Sequence, residues 1–84
     1  MAKQIKKLNT PDLNQEFSTT LLGEAIKARR TQSQLRLEDA ATLCGVAKQT
    51  LMDIEHGKDT CQISSILRVC QGLGIKLKIS NWYD

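Results

Sequence analysis

Between two glycines the sequence reads Gly45-Val46-Ala47-Lys48-Gln49-Thr50-Leu51-Met52-Asp53-Ile54-Glu55-His56-Gly57, and six of the eleven residues between them can donate or accept a side-chain hydrogen bond. Val46, Leu51 and Ile54 have the spacing of core residues on a short helix, which leaves Lys48, Gln49, Met52, Asp53 and His56 on its outer face. A helix held down by a few inward residues, with donors and acceptors at its N-terminal end, suits the edges of base pairs. An amide can pair with adenine, an ammonium can donate to guanine, and a carboxylate can accept from cytosine. The plain alternative is a solvated face that reads nothing.

Other chemistries find less support. Cys44, Cys61 and Cys70 form no CxxC pair, and the one histidine, His56, is not spaced to complete a metal site with them. An odd cysteine count argues against a disulfide framework, and Cys44 and Cys70 read as small core residues. The sequence holds no nucleophile–base pair, phosphate-cradling glycine loop or carboxylate dyad, so neither an enzyme nor a cofactor or small-molecule ligand is expected. Twelve Lys+Arg against nine Asp+Glu leave a net charge of +3, too mild to prove a nucleic-acid partner. No apolar run approaches the ~18 residues of a membrane span. The start MAKQIKKLNTPDL has no apolar stretch after its lysines, so a cytoplasmic protein without membrane contact is expected.

The elements that position these residues are helical almost throughout. Residues 1–18, with lysines at 3, 6 and 7, read as an N-terminal arm, or as an arm holding a short helix over 11–17 that starts at Thr10-Pro11. Thr19 and Thr20 cap a helix to about Arg30, with Leu21, Leu22, Ala25 and Ile26 at helical spacing, and TQSQ follows as a polar linker. A second helix covers Leu37 to Cys44, with Glu38 and Asp39 in its first turn, and Gly45 stops it. The third runs from Lys48 to about His56. Ile63, Ile66, Leu67, Cys70 and Leu73 mark a fourth, ended at Gly72 or Gly74. The tail GIKLKIS alternates Ile75, Leu77 and Ile79 with Lys76, Lys78 and Ser80, a period-two strand pattern.

Two short helices around a glycine corner form a helix-turn-helix, with the third helix in the position of a major-groove reader. Over residues 21–58 the sequence resembles the XRE-type helix-turn-helix of Cro-like phage repressors and many bacterial antitoxins. The resemblance rests on LGEAIKARR, on L-x(2)-E-[DE]-x-A-x(3)-G-V and on T-L-x-x-I-E-x-G-K taken together. It implies an all-α bundle of four to five helices, with Lys48, Gln49 and Asp53 facing bases and Thr50 and Lys58 near phosphates. Arg36 and Leu37 depart from the family's usual residues at the start of the second helix, although Arg36 could supply a phosphate contact of its own. Arg29 and Lys27 would add to the salt-sensitive attraction. The family's Arg–Glu pair falls on Arg30 and Glu55, and His56 reads as a helix-terminus residue.

A lone amphipathic strand has no internal partner for its backbone, which points to pairing with the same strand of a second copy. Ile75, Leu77 and Ile79 would then be buried in a homodimer, with Trp82 and Tyr83 over its edge. A small domain that buries only ~60% of its unfolded surface gains from such pairing. On this reading residues 19–74 form the DNA-binding domain and 75–84 the dimerisation strand and tail. An XRE domain followed by a helix ending G-L-G and a strand like IKLKI is similar to HipB-type antitoxins. That likeness implies a bacterial, nucleoid-associated repressor of its own operon, bound to palindromic operator DNA and partnered by a HipA-like kinase toxin. The alternatives are a phage-type or restriction-control regulator without a toxin, and a protein-interaction module that has lost DNA binding.

Overall fold

Four helices make up the ordered core: α1 (Thr19–Gln32), α2 (Leu37–Cys44), α3 (Lys48–Glu55) and α4 (Ile63–Leu73). They belong to a computed structural model that describes residues 5–83; Lys3 and the rest of the first four residues, and Asp84, lie outside them. Ser18, not Thr19 or Thr20, caps α1, its hydroxyl accepting from the Leu21 amide at 3.0 Å. The helix outlasts Arg30 because Thr31 turns inward, buried, and donates to the Ala28 carbonyl. The linker therefore shrinks to the residues after Gln32.

The short helix over 11–17 does not form. The Asp12 carboxylate accepts from the Asn14 amide at 2.9 Å, and this local bond competes with the first helical turn. Instead the arm runs back along α1. The Leu8 amide donates to Thr31 Oγ1 at 3.0 Å, and Gln32 Nε2 donates to the Leu8 carbonyl and to Thr10 Oγ1, both at 2.9 Å. At the other end of the chain, α4 continues through Gly72 and stops at Gly74, which is left-handed. Among the described residues no strand forms. Residues 75–80 carry the alternating pattern, but a ladder requires an edge, and a single chain offers none.

Leu22, Ile26, Ala40, Ala41, Leu51, Ile54, Ile66, Val69 and Leu73 build the core together with Cys44 and Cys70. Burial raises the pKa of both thiols, which therefore stay protonated and behave as apolar fillers. Ile63 and Leu67 differ from the sequence expectation: both lie on the exposed side of α4, while Val69 takes an inward position. Gly45 ends α2 at φ 71°, and Val46 packs into the corner behind it.

Two contacts set how the helices cross. A Cβ added at Gly23 of α1 would lie 2.6 Å from the carbonyl oxygens of both Ile54 and Glu55, so α1 and the end of α3 meet backbone to backbone. Beside that crossing, Arg30 and Glu55 form a bidentate pair. Nε donates to Oε2 at 2.6 Å and Nη2 to Oε1 at 2.9 Å, while Nη1 donates to the Leu35 carbonyl at 3.0 Å. Both residues are only 9% exposed. Removing one partner strands the other charge in a low-dielectric site. Arg30→Ala is expected to lower unfolding free energy by ~3–5 kcal/mol, and Gly23→Ala by ~1–3 kcal/mol through steric overlap. Urea denaturation of each variant measures this, with the Lys27→Ala surface change as the reference.

Candidate nucleic-acid interface

The N-termini of the helices separate into two kinds. At α1 a side chain, Ser18, satisfies a first-turn amide. The residues that precede α2, α3 and α4 are Arg36, Ala47 and Gln62, and none of them makes a side-chain cap bond. Amides of these three first turns are therefore left without side-chain acceptors from their caps, and each helix end carries the positive pole of its dipole. Such ends attract anions.

A side-chain contact joins the starts of α2 and α3, and a shared hollow lies between α3 and the start of α4. Lys48, the first residue of α3, lies 3.1 Å from Glu38 in the first turn of α2, both half-exposed. On the other flank, Thr50 and Asp53 of α3 share an open polar hollow of about 310 Å3 with Lys58, Thr60, Gln62 and Ser65, at the start of α4. Motif and periodicity single out none of Thr60, Gln62 and Ser65. The one signal for them is a weak capping residue at Gln62 ahead of a first turn without acids.

Along the outer face of α3, Gln49 Nε2 donates to Asp53 Oδ1 at 2.9 Å, and Lys58 Nζ stands 3.7 Å from Asp53 Oδ2. Of the three base-facing candidates, Gln49 and Asp53 are thus joined on this face, with Lys58 offsetting the carboxylate, while Lys48 is paired with Glu38 of α2. Arg36 is exposed at the α2 end. Leu37 packs against the core, which accounts for an apolar residue at that position. His56 is the exposed C-cap of α3.

Arg29 is exposed, and its Nε donates to the Leu73 carbonyl at 2.9 Å, which anchors the side chain at the end of α4. There its charge complements the negative end of that helix. Trp82 and Tyr83 lie near each other with ring centroids 6.2 Å apart, and both are exposed together with Ile79.

A family model described as helix-turn-helix domain matches residues 21–77. The chain is 34% identical over 58 residues to an HTH-type transcriptional regulator of Sinorhizobium fredii, y4mF, covering 69% of this chain and 76% of that protein. Its fold is similar to that of a structure described as the HipB-O4 20mer complex, with TM-score 0.73 and 20% identity over 83% of this chain and 99% of the other. A HipA-HipB-O2-O3 complex gives the same values. The all-α helix-turn-helix assignment holds.

The Lys48–Glu38 pair generates a direct test. The hydrogen bond from Lys48, and then its charge, hold the Glu38 carboxyl below its ordinary pKa. The ion pair is therefore intact at neutral pH and breaks only as pH falls through that lowered value. Titration of the Glu38 side chain followed by NMR should give a midpoint below the usual glutamate range. Lys48→Ala should bring it back up.

Proposed function

This chain belongs to the helix-turn-helix domain family, and on that premise we propose that it is a sequence-specific DNA-binding transcriptional repressor. It binds a pseudo-palindromic operator as a homodimer, represses its own operon and acts as the antitoxin of a HipA-like kinase toxin. The observation that carries DNA binding is the set of three helix starts without side-chain caps, with Lys48 and Gln49 in the first turn of α3. Phosphates satisfy the free amides, and base edges meet the outer face of α3.

In this reading Gln49 pairs with adenine and Lys48 donates to guanine O6 or N7. Asp53, already balanced by Lys58, accepts from a cytosine amino group. Thr50, Lys58 and Arg36 hold the backbone. Thr60 and Ser65, in the same hollow as Lys58, add to that set. Residues 19–74 form the DNA-binding unit.

The dimer rests on the C-terminal segment, residues 75–84. Leu77, Ile79, Trp82 and Tyr83 are exposed, and an apolar groove of about 490 Å3 lies beside the segment, lined by Leu13, Phe17, Leu21, Ala25, Ile75 and Leu77 among others. A second copy pairing its tail antiparallel to this one covers that surface and presents two α3 helices ~34 Å apart, one turn of DNA. The similar folds described as HipB with DNA and with HipA support the antitoxin role.

Selection of duplexes from genomic DNA, followed by a mobility shift with a salt series, tests the whole reading. A palindromic site bound by two copies and no longer bound by Lys48→Ala/Gln49→Ala supports it; a folded dimer with no sequence preference overturns it. Gln49→Ala should lose ~1–3 kcal/mol of discrimination, about five- to 150-fold, while binding to random duplex is unchanged. Lys58→Ala should weaken both duplexes alike and flatten the salt slope by ~0.9.

A further inference from the structure

The N-terminal arm has no part in the interface described so far, yet it is fastened to it. From Thr10 back to Ile5 the arm follows the end of α1 and reaches the corner that leads into α2. Leu8 is held on both its amide and its carbonyl, by Thr31 and Gln32. At the corner itself, Gln34 Nε2 donates to the Ile5 carbonyl at 3.3 Å. Gln34 stands at φ 58°, a left-handed conformation that strains a non-glycine residue. Glycine would fit there with less strain, but only a side chain such as glutamine can reach the arm.

The result is a cationic edge. Lys6 and Lys7 are exposed, and with Ile5 and Gln34 they line an open hollow. Arg36, at the uncapped start of α2, follows Gln34 by two residues. Lys48 joins this edge through Glu38, whose carboxylate it occupies, which leaves Asp39 as the other acid in the first turn of α2. The arm's own acids, Asp12 and Glu16, come after Thr10, beyond the stretch that reaches the α2 corner.

We propose that Lys6 and Lys7 bind DNA phosphates on the flank of the operator, continuing the row of contacts that begins at Arg36. This rests on the DNA-binding reading above. The lysines carry no sequence information. They add affinity for any duplex long enough to pass the α2 corner, and the hydrogen bonds that the arm makes with Thr31, Gln32 and Gln34 keep its ordering cost low, since it is already in place.

The test compares Lys6→Gln/Lys7→Gln with the full-length wild type, on a duplex selected by the protein and on a scrambled duplex of equal length, across a salt series. The magnitude of the salt slope should fall by ~0.9 for each phosphate that is no longer neutralised, up to ~1.8 per protomer, with equal weakening on both duplexes. Arg68→Gln, a loss of charge on the exposed side of α4, should leave the slope unchanged. Gln32→Ala/Gln34→Gly, which keeps both lysines but removes two of the three side-chain tethers of the arm, should lower the affinity while unfolding remains cooperative. An unaltered slope in the arm variant overturns the proposal and leaves the DNA-binding reading standing, and so does an equal fall in Arg68→Gln. A wild type that binds no duplex overturns both.

Discussion

A guanidinium and a carboxylate buried together hold the geometry of this protein in place. Arg30 sits near the end of α1, Glu55 at the end of α3, and the third bond of the guanidinium goes to the carbonyl of Leu35 in the corner before α2. One side chain thus fixes three segments relative to each other. Such a pair gains little net stability over an apolar substitute, because both charges are taken out of water. Its contribution is direction: an apolar contact tolerates sliding, whereas two parallel N–H···O bonds admit one arrangement. Gly23 makes that arrangement reachable by letting the backbones of α1 and α3 touch. With α3 so fixed, Lys48 and Gln49 are presented at a set angle from the body of the domain.

Once the helices are locked in this way, their starts differ in what satisfies them. α1 is closed by Ser18, as an ordinary surface helix is. α2, α3 and α4 begin at residues whose side chains make no cap bond. An uncapped start costs a helix ~1 kcal/mol relative to a capped one. Three such starts on a small domain amount to a standing deficit in stability that a bound anion can recover.

Much of this is legible in the sequence, and the reasons differ by element. α2 and α3 match their expected spans because glycine corners and short apolar spacings leave few other solutions for Leu37–Cys44 and Lys48–Glu55. Arg30 and Glu55 are reached through family resemblance and not through periodicity, since nothing local in either segment names its partner 25 residues away. The close approaches of Gly23 and Gly72 are not legible: each is a glycine inside a helix, and only the facing backbone or side chain gives it meaning. The role of Arg29 is hidden for a similar reason, because its acceptor is a main-chain carbonyl of Leu73, and main-chain groups look alike in any sequence. The turn at Asp12–Gln15 goes the other way. There the helix-start signal of Thr10-Pro11 is real, but a side-chain bond to Asp12 offers the backbone a better local alternative.

The face proposed to read DNA already carries contacts of its own. In the free protein Lys48 is matched with Glu38, and both Gln49 and Lys58 are matched with Asp53. A duplex bound at this face must break those contacts and replace each one. Phosphates alone can replace the partners of Lys48 and Lys58, but they leave Asp53 facing negative charge with no donor. A base edge that presents an amino group beside an acceptor can satisfy Asp53 and Gln49 together. The internal contacts therefore penalise a featureless polyanion more than a matching sequence. In the proposed reading, a carboxylate at the centre of the DNA-facing surface, unfavourable when judged by charge alone, would separate the right duplex from the wrong ones. Discrimination of that kind comes from what the wrong partner fails to replace, and it needs no contact beyond those already on the face of α3.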